Sequence, residues 1–198
     1  MTFIVLEGGE GSGKSTQAAL LAEWLLGRGA EVVPTFEPGD TVAGAQIRAL
    51  LLHDAEIDAR TELLLMLADR AQHVAEVVRP GLARGAVVVS DRYAPSTLAY
   101  QGVGRGLGVE AVEAANRLAT GGLEADLVIV LDVDDAVAES RMPARRDRVE
   151  RAGAGFHARV RAAYRELAAS RGWVLVDGSG EPDAVGRRVR EAVATVVP

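Results

Sequence analysis

Near the N-terminus, the stretch Gly8-Gly9-Glu10-Gly11-Ser12-Gly13-Lys14-Ser15 constrains this chain more than any other feature. It satisfies Gly-x-x-x-x-Gly-Lys-Ser, follows the apolar run Phe3 to Leu6 directly, and opens a helical pattern near Ser15. In that context the glycines let successive backbone N–H groups converge on phosphate oxygens, and the helix start adds its positive dipole end. The expected nucleotide-contacting stretch is Gly8, Gly9, Glu10, Gly11, Ser12, Gly13, Lys14, Ser15 and Thr16. Lys14 would sit between the β- and γ-phosphates, and the Ser15 hydroxyl would hold Mg²⁺. Of 22 basic residues Lys14 is the single lysine, the rest being arginine. A compact ammonium suits that position where a planar guanidinium does not. The same count excludes an Asn-Lys-x-Asp guanine motif, so a GTPase of that kind is ruled out. What receives the phosphate is left open between motor-type ATPases and small kinases.

Five short runs rich in Val, Ile and Leu read as buried parallel strands: Phe3 to Leu6, Glu31 to Thr35, Ala86 to Ser90, Leu127 to Leu131 and Trp173 to Val176. Between them helical periodicity covers Ser15 to Leu26, Val42 to Leu52, Thr61 to Leu82, Val109 to Ala119, Ala136 to Ser140, Phe156 to Ser170 and Asp183 to Val196. Alternation of this kind gives a three-layer α/β/α P-loop NTPase fold with a five-stranded parallel sheet. Its ligands are expected at the carboxyl ends of the strands. No repeat or linker divides the chain, so residues 1–198 read as one domain.

Absent classes narrow the function further. There is no cysteine for a disulfide, a thiolate nucleophile or a cysteine-ligated metal, and His53, His73 and His157 fit no metal-binding spacing. They read as surface or partly buried histidines. A net charge of −6 argues against a general nucleic-acid or anionic-membrane binder. With no apolar run long enough to span a bilayer and no signal-peptide pattern, the chain reads as cytoplasmic.

Two hydrophobic strands end in aspartate, at Asp91 and Asp132, the pattern of a carboxylate aimed at nucleotide-bound Mg²⁺. Either could instead cap the next helix. Asp91 is favoured because Arg92 follows it. The segment Arg141 to Arg151 carries five arginines, Arg141, Arg145, Arg146, Arg148 and Arg151. With Pro143, Gly153 and Gly155 it reads as a lid at about 141–155 closing over polyphosphate, the alternative being a solvated surface helix.

With these parts in place, the chain resembles bacterial thymidylate kinases with an arginine-rich lid. The resemblance is carried by Asp91-Arg92-Tyr93-Ala94-Pro95-Ser96-Thr97-Leu98-Ala99-Tyr100-Gln101-Gly102, by Ala68 to His73, by Glu37-Pro38-Gly39, and by Phe156-x-x-Arg159-Val160-Arg161-x-x-Tyr164. It implies transfer of the γ-phosphoryl group of ATP to dTMP, with Mg²⁺ held by Ser15 and Asp91, and a homodimer. It further implies that Arg48 and Arg92 grip the acceptor phosphate with Glu37 orienting one of them. Arg70, Thr97 and Gln101 would meet the polar edge of thymine, Tyr100 would lie against the sugar 2′ carbon, and Ser96 would line the same acceptor site. Lys14, Arg92 and lid arginines among Arg141, Arg145, Arg146 and Arg148 would neutralise charge during transfer. The chain departs from the family pattern at Met66, where phenylalanine is usual, and at Phe36 and Asp40. For Met66 and Phe36 simple core packing is the competing reading. The rivals to this function are another small-molecule kinase and a nucleotide-dependent switch or assembly ATPase.

Overall fold

The computed structural model describes residues 2–53, 56–142 and 147–197. Its centre is a sheet of strands β1 (Thr2–Glu7), β2 (Val32–Phe36), β3 (Val87–Asp91), β4 (Leu127–Asp132) and β5 (Val174–Asp177), in the spatial order β2-β3-β1-β4-β5. All four pairings are parallel. The chain builds outward from β1 to one edge, then returns to build the other. The crevice this leaves beyond the carboxyl end of β1 is flanked by Asp91 and Asp132 on the adjacent strands.

Side-chain alternation along β1 assigns the two outer layers. Ile4 and Leu6 pack with Leu21 and Leu25 of α1 (Lys14–Gly27) and Val185 and Val189 of α9 (Pro182–Val193). Phe3 and Val5 point the other way, to Val74, Val78 and Tyr93. That second layer holds α2 (Val42–Leu52), α3 (Ala59–His73), α4 (Arg79–Ala83), α5 (Ala94–Thr97), α6 (Val109–Thr120) and α8 (Ala154–Arg171), with the short α7 (Asp135–Ser140) after β4. Among the described residues, no helix is long and apolar enough to cross a membrane.

The sequence expectations differ from the structure at the sheet edges and in one helix. The second and fifth strands are only partly buried, because each pairs on one side alone. Pro34, which lacks an N–H, sits in an edge strand as its chemistry requires. The helix expected over Thr61 to Leu82 runs as α3, a π-helical turn at Val74–Val78, and α4. A helical stretch absent from the sequence reading spans α5 and the π-helical turn Leu98–Gly104. Pro95 to Gly102 are all buried, so this segment has no polar face and shows no amphipathic stripe. His73 is fully buried, not a surface group.

Candidate active site

The loop after β1 is built around contacts that only glycine tolerates. A Cβ on Gly8 would lie 2.4 Å from the Leu131 carbonyl oxygen, and one on Gly11 2.4 Å from that of Ala138, both at positive φ. Helix α1 starts at Lys14 with no side-chain cap, so the N–H groups of its first turn have no cap to satisfy them. The Lys14 ammonium is buried and donates to the Gly9 carbonyl at 2.8 Å. Burial and the neighbouring Arg92 push its pKa down to about 8, against the pull of Glu10, Asp91 and Glu7. An anion in the loop would relieve both penalties.

Ser15 and Asp91, 76 residues apart, meet at 2.5 Å through Oγ and Oδ2. The other oxygen of Asp91, Oδ1, is buried without a hydrogen-bond partner. An orphaned carboxylate oxygen beside a hydroxyl, at the mouth of a phosphate-binding loop, fits a small hard dication that takes its remaining ligands from phosphate and water. Asp132 is engaged elsewhere, accepting from Arg165 Nε at 2.9 Å.

From the loop a single cleft of about 710 Å³ runs to Gln101, and all the expected acceptor-site residues, Glu37, Arg48, Met66, Arg70, Asp91, Arg92, Ser96, Thr97, Tyr100 and Gln101, line it. Arg92 stands at its middle, paired to Glu10 at 2.5 Å, with Tyr100 donating to the same carboxylate oxygen at 2.8 Å. Burial alone would raise the Glu10 carboxyl, but Arg92 and Lys14 hold it down at about 2. Arg92 is also the one non-glycine residue at positive φ among those described, at 74°. Its turn is held by Glu7, a residue the sequence reading passed over. The fully buried Glu7 carboxylate accepts from the backbone N–H groups of Tyr93 and Ser96 and from the hydroxyls of Ser96 and Tyr164. The available signal was an acid closing an otherwise apolar strand.

At the far end, Arg70 lies on a buried floor. Its guanidinium donates to Glu37, Thr97, Asn116 and the Tyr93 carbonyl. Glu37 therefore holds Arg70 and His73, and does not orient Arg48 or Arg92 as expected. Arg48 instead donates to the Pro38 carbonyl and lies over the Phe36 ring. Phe36 and Met66 both line the cleft, so neither is simply a core residue. Asp40 lines it too, its carboxylate accepting from Thr35. Gln101 donates to Glu62, which is buried and also paired with Arg105 and Arg148. Glu7, Glu62 and Asn116 each needed a long-range partner to be noticed.

The arginine-rich segment is divided. Arg145 and Arg146 lie outside the described residues. Arg141 donates to the carbonyls of Gly178 and Gly180, beside the phosphate loop. Arg148 reaches the other way, to the Leu51 carbonyl and Glu62. Asp147, Val149 and Glu150 line the cleft. Arg161 of α8 passes over the loop, its Cγ 3.0 Å from where a Cβ on Gly9 would be.

Comparisons with known proteins point to one family. A family model described as thymidylate kinase matches residues 6–189. The chain is 51% identical to a thymidylate kinase of Leifsonia xyli, covering 95% of this chain and 92% of that one. It is 47% identical to a thymidylate kinase of Thermosynechococcus vestitus, over 97% and 86% respectively. Among solved structures, a thymidylate kinase from Ehrlichia chaffeensis superposes with a TM-score of 0.80 at 28% identity, covering 97% of this chain and 98% of that chain.

Proposed function

The chain belongs to the thymidylate kinase family, ATP-dependent enzymes that phosphorylate dTMP, and from that premise we propose how its residues divide the reaction. The single observation that carries the division is the continuous cleft running from Lys14 and the Ser15–Asp91 pair, past Arg92, to Gln101. Residues Gly8 to Thr16 bind the ATP phosphates, with Lys14 on the β- and γ-phosphates. Ser15 and Asp91 hold Mg²⁺, which, when bound, supplies charge neutralisation at the phosphate oxygens. Arg92 and Arg48 take the acceptor phosphate. Glu10 holds Arg92 and Tyr100 in place, and Tyr100 lies against the sugar.

A phosphate monoester has its second pKa near about 6, so at neutral pH the attacking oxygen is already mostly ionised. No general base is required, and the cleft brings Lys14, Arg48 and Arg92 to the phosphates for charge compensation instead. Transfer then depends on alignment and on cations aimed at charge that moves to the leaving oxygen. Lys14, Arg92 and lid arginines supply these. Thr97 and Gln101 face the thymine edge, with Arg70 acting as a fixed positive charge beneath the 4-oxo group because its donors are committed to protein partners. The same proposal includes a homodimer.

The test is an ADP-release assay with each common nucleoside and deoxynucleoside monophosphate offered in turn. dTMP is expected to be the best acceptor, dUMP weaker by one methyl contact worth about 1 kcal/mol, and dCMP worse still. ATP turnover without any acceptor is expected to be nearly nil. A preference for dCMP, CMP or AMP would overturn the acceptor assignment, and acceptor-independent hydrolysis would point to a switch ATPase.

A further inference from the structure

Gln101 lines the cleft, whereas Glu62, the group it is bonded to, does not. The bond runs from Gln101 Nε2 to Glu62 Oε1 at 2.6 Å. A side-chain amide has one donating and one accepting end, and at equal size either could face the ligand. An ionised carboxylate has no such freedom, since it only accepts. Glu62 is kept ionised by its surroundings: Arg105 donates to it at 3.0 and 3.2 Å, and Arg148 lies 2.7 Å away. With one N–H of its NH₂ end committed to Glu62, the Gln101 amide is held in one orientation, its carbonyl oxygen turned away from that carboxylate to offer the cleft.

We infer that Glu62 fixes the orientation of the Gln101 amide, and through it makes the acceptor site prefer a base bearing a ring N–H over one bearing a ring lone pair. This rests on the proposed placement of the acceptor base beside Gln101. Thymine and uracil carry a proton on N3, which a fixed carbonyl accepts. Cytosine presents a lone pair at N3, and oxygen would face nitrogen with no proton between them. Such a mismatch leaves two buried acceptors unpaired, which discriminates far better than the gain or loss of a methyl. Glu62 lies behind the cleft wall and would act only through Gln101, so it is a positioning residue. It also explains why two arginines from outside the cleft converge there: without them a buried carboxylate would protonate and could then donate, releasing the constraint.

The experiment compares kcat/KM for dTMP and dCMP in wild type, Glu62→Gln and Glu62→Asp. A glutamine at 62 can accept from or donate to Gln101, so both amide orientations become populated. In E62Q the dTMP-to-dCMP ratio is expected to fall by about tenfold or more, with the loss on dTMP carried mainly by KM. E62D, shorter but still acceptor-only, is expected to keep the ratio even where its KM values suffer. A merely structural role predicts the reverse, since Gln is closer in size than Asp. The inference is overturned if E62Q keeps the wild-type ratio, or if E62D loses it as fully as E62Q. A wild type that does not prefer dTMP over dCMP would instead overturn the placement of the base. Should a variant fail to fold, the side-chain amide resonances of Gln101 in the ¹⁵N-labelled wild type, identified by their loss in Gln101→Met, decide the matter. They are expected to be protected from solvent exchange in the free protein already, because their partner is Glu62. Protection that arises only when dTMP saturates the protein would show that the NH₂ end turns to the base.

Discussion

A buried ammonium beside a guanidinium is poorly solvated and repelled, and Lys14 is in that position. Its pKa of about 8 in the unliganded protein lies below the usual lysine value through burial first and Arg92 second. The unfolded chain therefore binds more protons between about 8 and the ordinary lysine pKa, so for this group stability rises as pH climbs through that window. Phosphate binding reverses the environment and raises the pKa. The bound state then holds the proton that the free state is losing, and ATP affinity is full below about pH 8 and declines above it. Calorimetry of ATP binding at about pH 8.5, in two buffers of different ionisation enthalpy, is expected to show proton uptake. Uptake of zero would mean that Lys14 does not face the phosphates. Correspondingly, Lys14→Ala should lower turnover by about a hundredfold or more while the circular dichroism spectrum is unchanged. Lys14→Arg should not rescue it, because the loop admits a point charge and not a fork.

The element on which the proposed acceptor site depends is the stretch from Asp91 through the π-helical turn ending at Gly104. Arg92 occupies a left-handed conformation that disfavours side chains, and it is held there by hydrogen bonds on both sides. Its own N–H reaches the Leu6 carbonyl, and Glu7 takes the next free N–H, from Tyr93. Glu7→Ala would orphan the buried N–H of Tyr93 and leave the Ser96 N–H only its bond to the Tyr93 carbonyl, at a cost of about 2–3 kcal/mol, whereas Glu7→Gln keeps an acceptor and should lose about 1 kcal/mol. Urea unfolding of the two variants checks this, and equal losses would show that Glu7 does not hold the turn. The same stretch marks the limit of sequence legibility. Strands were readable as continuous apolar runs, helices with one buried face because period and burial coincide, and the phosphate loop because its glycines, lysine and serine fall at fixed spacings. Residues 95–102 are all buried, so no period survives to be read. The site behaves likewise. Ser15 and Asp91 could be paired on chemical grounds, but the partners of Glu37, Gln101 and Arg148 are set by how α3 packs, and nothing in their spacing along the chain points to Arg70, Glu62 or the Leu51 carbonyl.

At the scale of the molecule, the sheet gathers the cleft-lining residues at the carboxyl ends of its strands and leaves the outer helices to other uses. Helix α3 packs between α2 and α6, and each of the three presents a leucine to solvent: Leu50 at 58% exposure, Leu64 at 64% and Leu118 at 87%. Single exposed leucines are ordinary, but three on neighbouring helices offer apolar surface that association would bury. A second copy of the chain is the occupant proposed above, and a two-fold interface would use the same helices from both copies. A net charge of −6 per chain opposes association only weakly at physiological salt, where charges more than about 8 Å apart are largely screened. Sedimentation equilibrium is expected to give twice the chain mass of 20.8 kDa at micromolar concentration. The double variant Leu64→Glu/Leu118→Glu places four carboxylates across a symmetric contact and should sediment as a single chain with its helical content intact. Because the cleft lies at the carboxyl ends of the strands, this monomer should retain dTMP binding, with any loss confined to what α3 transmits through Glu62 and Arg70. A wild type that sediments as one chain, or a double variant that stays paired, would show that these helices do not form the interface.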